Sequence, residues 1–249
     1  MTGLWSVVVD VLRRRLRACL VAIAAFGLVV AWWRYPAENH YSIMRCTISF
    51  LGSPDANRNP HGWRFYQAGM TALVLLLFSL MAERHVKLRR RIGRTAVWSS
   101  AAISVSLTLI LLVTWIPDSQ EHYCFGIRAG VLHTPMAILA IPFMGCGLVL
   151  DAAALWWSGV RIRALWPFHL YGLIVVVGTA KLMAWERMCR QDPTLPEWPG
   201  EGLYSTPLWE WIAFTCLVGF MVWMAHGGCA AKSKPAPPIH LEADLPDVN

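Results

Sequence analysis

The sequence predicts an all-α fold: a polytopic membrane protein built as a six-transmembrane-helix bundle, with both termini cytoplasmic and a folded outer loop between the first two helices. Three observations carry this. Hydrophobic residues make up 56% of the 249 residues and charged ones only 15%, against about 25% charged in soluble domains. The apolar residues gather in six runs of about twenty, the length that crosses a hydrocarbon layer roughly 30 Å thick. The basic residues cluster where those runs end, dense and sparse by turns.

The runs cover residues 18–33, 67–81, 97–116, 131–157, 166–185 and 208–225. Backbone groups in hydrocarbon must be satisfied internally, so each run is a helix or part of a closed barrel. Continuous hydrophobicity excludes the barrel, whose strands alternate. The first run follows Arg13, Arg14, Arg15 and Arg17 but ends at Trp32 and Trp33 with no small-residue cleavage site. It reads as an uncleaved helix, not a signal peptide.

Orientation follows from Lys and Arg in the connections. The N-terminal segment, the links 84–94 and 158–165 and the C-terminal tail hold fourteen, while the opposite connections hold seven among nine acids. This places the N-terminus inside, in a multi-pass protein of the plasma (inner) membrane. The same pattern explains the formal charge of +7 without nucleic acid as a partner. The resulting domains are a cytoplasmic N-terminal amphipathic segment 1–17, the membrane domain 18–226 and a disordered cytoplasmic tail 227–249, rich in proline. Segment 1–17, with Leu4, Trp5, Val8, Val9, Val11 and Leu12, reads either as a helix lying on the inner leaflet, slightly favoured, or as an extension of the first span.

Seven Cys offer no Cys-x-x-Cys or Cys-x-x-His spacing, so no metal signature. Cys19, Cys146, Cys216 and Cys229 fall in or beside apolar helices. Cys46, Cys124 and Cys189 fall outside, where one pair can form; a Cys46–Cys124 disulfide would pin the first loop over the bundle.

That loop, 34–66, is the least ordinary part of the chain. Ile43, Met44, Ile48 and Leu51 have helical spacing with Gly52 as a stop. Pro54, Asp55, Asn57, Asn59 and Pro60 then supply turn chemistry. A short interfacial helix followed by a folded cap is expected, with a mere spacer as the alternative.

Ile48-Ser49-Phe50-Leu51-Gly52, the Asn/Pro-rich stretch and Trp63-Arg64-Phe65 resemble the signature loop of an uncharacterised six-span membrane family, domain of unknown function nine-nine-eight. More distantly, the pattern is similar to the DRAM autophagy modulators and to the eukaryotic factor that remodels GPI-anchor lipids. Those relatives also carry an outer-end His on the fourth helix and a Glu-Trp at the start of the sixth, for which this chain offers His133 and Glu210-Trp211. They carry an acid soon after the loop's proline, where this chain has Asp55 in place of Glu. The resemblance implies lipid-linked or membrane-homeostasis roles and names no reaction.

Ionisable residues in a bilayer cost at least about 2.5 kcal/mol each, so each needs a partner or a purpose. One set lies towards the outside: His61, His133, Lys181, Glu186, Arg187 and Glu210, with Glu121 and His122 in the adjoining loop. His61, His133, Lys181 and Glu210 are the candidate ligand-binding residues. A metal-dependent hydrolase would use His61 and His133 as metal ligands and His133, Glu210 or Glu186 in catalysis. No His-Glu-x-x-His motif supports this, and interfacial ion pairing explains the same residues. A second set, Asp151 and His169, is expected at similar depth on the fourth and fifth helices, close enough for a mutual hydrogen bond. Gly145, Gly147, Ala152, Ala153 and Ala154 on the fourth helix, and Gly172 and Gly178 on the fifth, permit close helix contact, and Pro135 and Pro142 are expected to kink the fourth and open space beside His133.

The function expected is binding, handling or sensing of membrane lipid at the outer side. The metal-dependent hydrolase or transferase is the alternative. A small-solute transporter is a weaker one, because no charge falls at mid-membrane and no inverted repeat is evident. No cofactor is specified by the sequence.

Overall fold

The computed structural model describes residues 2–43, 46–159, 165–192, 203 and 205–225. They form six helices: α1 (Thr2–Trp33), α2 (Trp63–Ile92), α3 (Thr95–Trp115), α4 (Ala129–Trp157), α5 (Trp166–Gln191) and α6 (Thr206–Ala225). A two-residue hairpin, β1 (Tyr123–Cys124) and β2 (Ile127–Arg128), precedes α4. Five helices are long and apolar enough to cross a membrane: Val9–Trp33 of α1 and the whole of α2, α3, α4 and α5. The chain is a multi-pass α-helical membrane protein. In α6 the apolar stretch is Pro207–Phe220.

α2 is the central helix. Its apolar window is 61% buried, against 22–39% for the other four, and Leu73, Leu76, Leu77 and Leu80 lie in the core. α1, α3 and α6 pack around it, α4 packs chiefly on α3, and α5 on α6. Large side chains on the outside of the bundle, among them Phe26, Trp98, Val149 and Val176, are exposed, as lipid-facing residues must be.

Small residues set the closest approaches. A Cβ on Gly27 of α1 would come within 2.6 Å of the Phe65 carbonyl and 2.7 Å of Gly69 Cα on α2, so these helices meet backbone to backbone. Gly147 of α4 does the same against Ser99 O of α3, at 2.8 Å. Gly178 of α5 lies against the Trp209 ring of α6. Gly145 and Gly172 face open space, so of these four glycines Gly147 and Gly178 make the close contacts. α4 runs unbroken through Pro135 and Pro142, and Ser106 Oγ of α3 donates to the Ala140 carbonyl at 2.7 Å within that stretch.

The N-terminal segment is not a separate surface helix. α1 runs without a break from Thr2 to Trp33. Between Leu4 and Arg17 there is no Gly or Pro, and Asp10 binds Arg13 and Arg14 three and four residues on, the spacing that supports a helix. The 227–249 tail lies outside the described residues.

We call the end bearing the 34–62 loop the cap end and the opposite one the basic end. At the basic end α2 turns into α3 through Gly93, whose positive φ of 56° suits glycine alone. At the cap end the expected helix is shorter than the sequence suggested: a 3-10 turn over Ile48–Gly52, with a second at Ala37–Asn39. Gly52 ends it for a packing reason, since the Tyr66 ring fills the space a Cβ would need.

Candidate functional site

The cap is held down by side chains that bind backbone. Asn59 is fully buried. Its Nδ2 donates to Ala31 O at 3.0 Å and Leu51 O at 2.8 Å, and its Oδ1 accepts from Gly62 N at 3.0 Å. One amide thus ties the end of α1, the 3-10 turn and the start of α2, with no lone donor left over. Asn39 donates to Ala56 O and Arg58 O, closing the loop on itself.

The loop after α3 is stitched to the same cap. Asp55 accepts from the Ser119 hydroxyl and, at 3.1 Å, from Gln120 N. Ser119 Oγ in turn accepts from Glu121 N and His122 N. Ser53 donates to Asp118 O at 2.7 Å, and Arg58 bridges the Asp118 carboxylate at 2.7 Å while lying over the Phe50 ring. The acid beside the loop's proline is therefore a turn-capping group. Asp55, Ser119 and His122 lie together without forming a nucleophile–base–acid relay, because the Asp55 carboxylate bonds the serine hydroxyl itself.

Beneath this lid lies Glu210, in the second turn of α6. Its carboxylate accepts from the backbone amide of Ile48, and it lies near enough to Tyr41, Tyr66 and Asp118 to interact with each electrostatically. Tyr66 is buried and Glu210 half-buried. Among the described residues no Lys, Arg or His forms an ion pair with Glu210. Trp211 packs against the core beside it. On the loop, Tyr35 and Tyr41 stack edge to face at 4.9 Å. Burial raises both phenols above their usual range, Tyr35 to about 12.

The other candidates lie apart. His133 is buried, and its Nδ1 lies 2.7 Å from the Ile116 carbonyl; a carbonyl only accepts, so Nδ1 carries the proton. The ring therefore caps the end of α3. His61 is exposed at the cap surface, Lys181 is half-buried on α5, and Arg187 is exposed. The Glu186 side chain lies outside the described residues. Among the described residues no three His, Cys, Asp or Glu side chains come together as a metal site would require. Cys46, buried, and Cys124 are free thiols rather than the expected pair. Asn59, Asp55, Ser53 and Arg58 already make the junction that a disulfide was expected to make.

Towards the basic end the expected Asp151–His169 bond is also absent, since His169 is exposed. Asp151 is fully buried and paired with Arg84 of α2, itself 1% exposed. Ser99 and Ser100 of α3 stand 3.4 Å from that guanidinium, and His85 Nδ1 lies 2.9 Å from Ser100 Oγ. The sequence reading missed Arg84 by counting it with the connecting link. The available signal was Leu80, Arg84 and Leu88, four apart and all buried on one face of α2. Nearby, Arg17 of α1 binds Glu83 at 2.6 Å and Ser79 twice, and Lys87 binds Glu83 at 2.8 Å.

No protein-family model matches the chain, and neither a curated protein nor a solved structure matches it significantly.

Proposed function

We propose that the chain binds or senses membrane lipid at the cap end, with that end outside and both termini in the cytoplasm. The six-span reading takes α6 as the last crossing: its 20 residues are about 30 Å long at 1.5 Å per residue. The orientation rests on the excess of Lys and Arg in the N-terminal segment, the α2–α3 turn and the tail, and the plasma (inner) membrane is the location proposed.

The observation that carries the lipid reading is Glu210. A carboxylate at a bundle mouth, with one backbone donor and no ion-pair partner among the described residues, is costly unless something else meets it. The group that suits it is a headgroup that donates hydrogen bonds or bears an ammonium, its acyl chains lying along the apolar helix faces below. The hydrolase alternative finds less support, since among the described residues no three His, Cys, Asp or Glu side chains come together as a metal site would require.

Two experiments test this. With native cysteines replaced, a probe cysteine at Asn57 is expected to label from outside intact cells and one at Arg89 to be protected; the reverse pattern would overturn the orientation. Lipid mass spectrometry on purified protein is expected to find a copurifying lipid that Glu210→Gln loses. Equal lipid in both preparations would overturn the assignment to Glu210.

A further inference from the structure

We propose that the basic end carries a second lipid contact, a collar that binds the headgroups of anionic phospholipids. Its parts come from two helices. Arg13, Arg14 and Arg15 lie within a turn or so of Arg17 on α1, and Arg89, Arg90 and Arg91 lie within a turn or so of Lys87 on α2. Arg17 and Lys87 both bind Glu83, so the two triplets stand at one level. All six side chains are exposed.

Charge balance distinguishes this end from an ordinary ion-paired surface. Among the described residues its acids are already engaged, Asp10 and Glu83 with Arg13, Arg14, Arg17 and Lys87, and the buried Asp151 with Arg84. Among the described residues no carboxylate pairs with Arg15, Arg89 or Arg90. Topogenesis requires only positive charge, whereas here apolar side chains are interleaved with it. Leu16 of α1, between Arg15 and Arg17, and Val86 of α2, beside Lys87, lie on the bilayer side of the two triplets and are 58% and 56% exposed. Arginine guanidinium groups match phosphate bidentately, and exposed valine and leucine beside them suit the acyl boundary just below a headgroup layer. A soluble polyanion would satisfy the arginines and leave these apolar side chains in water, so the occupant is a lipid.

The test uses full-length protein in detergent, so that altered charges cannot confuse binding with insertion, and adds micelles of phosphatidylglycerol or of phosphatidylcholine. Native mass spectrometry is expected to show phosphatidylglycerol bound preferentially, and binding is expected to weaken as sodium chloride rises. The variant Arg15→Gln/Arg89→Gln/Arg90→Gln should bind it roughly a hundredfold more weakly, while the same three positions changed to Lys should retain most of the binding. Glu210→Gln, which probes the cap end, should leave this binding unchanged. Equal binding of the two lipids, or no loss in the glutamine variant, would overturn the collar. Displacement by millimolar inorganic phosphate alone would overturn the lipid as its ligand. If the glutamine variant does not fold, the salt titration of the unaltered protein decides, and insensitivity to salt counts against the proposal.

Discussion

The two ends of the bundle are fastened by different chemistry. At the cap end, short neutral or turn-capping side chains bind backbone: Asn59 to three segments, Asp55 and Ser119 to the loop before α4, Ser53 to Asp118. At the basic end, full charges bind one another between helices, Arg84 to Asp151 and Arg17 to Glu83. Backbone-directed bonds fix the course of a loop; ion pairs fix which helices are neighbours. The cap end also holds one ion pair, Arg58 with Asp118 within its loops, whereas Glu210 at the mouth of α6 has no ionic partner among the described residues, and that contrast makes it the functional candidate.

The sharpest way to break the comparison is at the buried pair. Asp151→Ala strands Arg84 in the core and should destabilise the protein by about 3–5 kcal/mol, measured by thermal or denaturant unfolding in detergent. Replacing both residues by apolar ones of similar volume should recover most of that loss, because burying charge offsets much of what the pair contributes. Next in size, Asn59→Ala removes three bonds and leaves carbonyls of α1 and the cap turn unmet, for a loss of about 2–3 kcal/mol. His133→Ala should lower stability by about 1–2 kcal/mol through the stranded Ile116 carbonyl and leave bound lipid unchanged. Lost lipid with unaltered stability would return His133 to the binding site.

The smallest effect is a pH dependence confined to the cap. Tyr35 has its pKa raised from 10.0 to about 12 by burial, so the folded state favours the neutral phenol. The resulting stability is complete below about pH 10 and disappears as pH rises towards 12. Tyrosinate absorbance is expected to show a late-titrating phase that is reduced by one tyrosine in Tyr35→Phe, with Tyr41, also raised by burial, still titrating late.

Much of the all-helical layout was legible because hydrophobicity speaks directly to membrane crossing: the six apolar runs match the six helices, with only Ile116 falling one residue beyond α3. The cap was legible as turn chemistry around Pro54, Asp55, Asn57 and Asn59, though not as contacts. What failed were inferences of proximity. Asp151 and His169 share a depth but not an interface, because α4 packs on α3 while α5 packs on α6. A small residue signals close approach without naming its partner: Gly27 and Gly69, unremarked in the sequence, make the tightest junction of α1 with α2, whereas Gly145 and Gly172 make none. Charge at a helix end is ambiguous in the same way, and Arg84 passed for a topogenic residue because five others follow it within ten positions.

The measurement that tests the account most directly compares Glu210→Gln with Asp151→Asn in one preparation, recording melting temperature and copurified lipid for each. The account predicts that Glu210→Gln loses lipid and keeps its melting temperature, while Asp151→Asn melts several degrees lower and keeps its lipid. Two variants that both melt early with lipid intact would contradict it, making Glu210 one more structural bond at the mouth of the bundle.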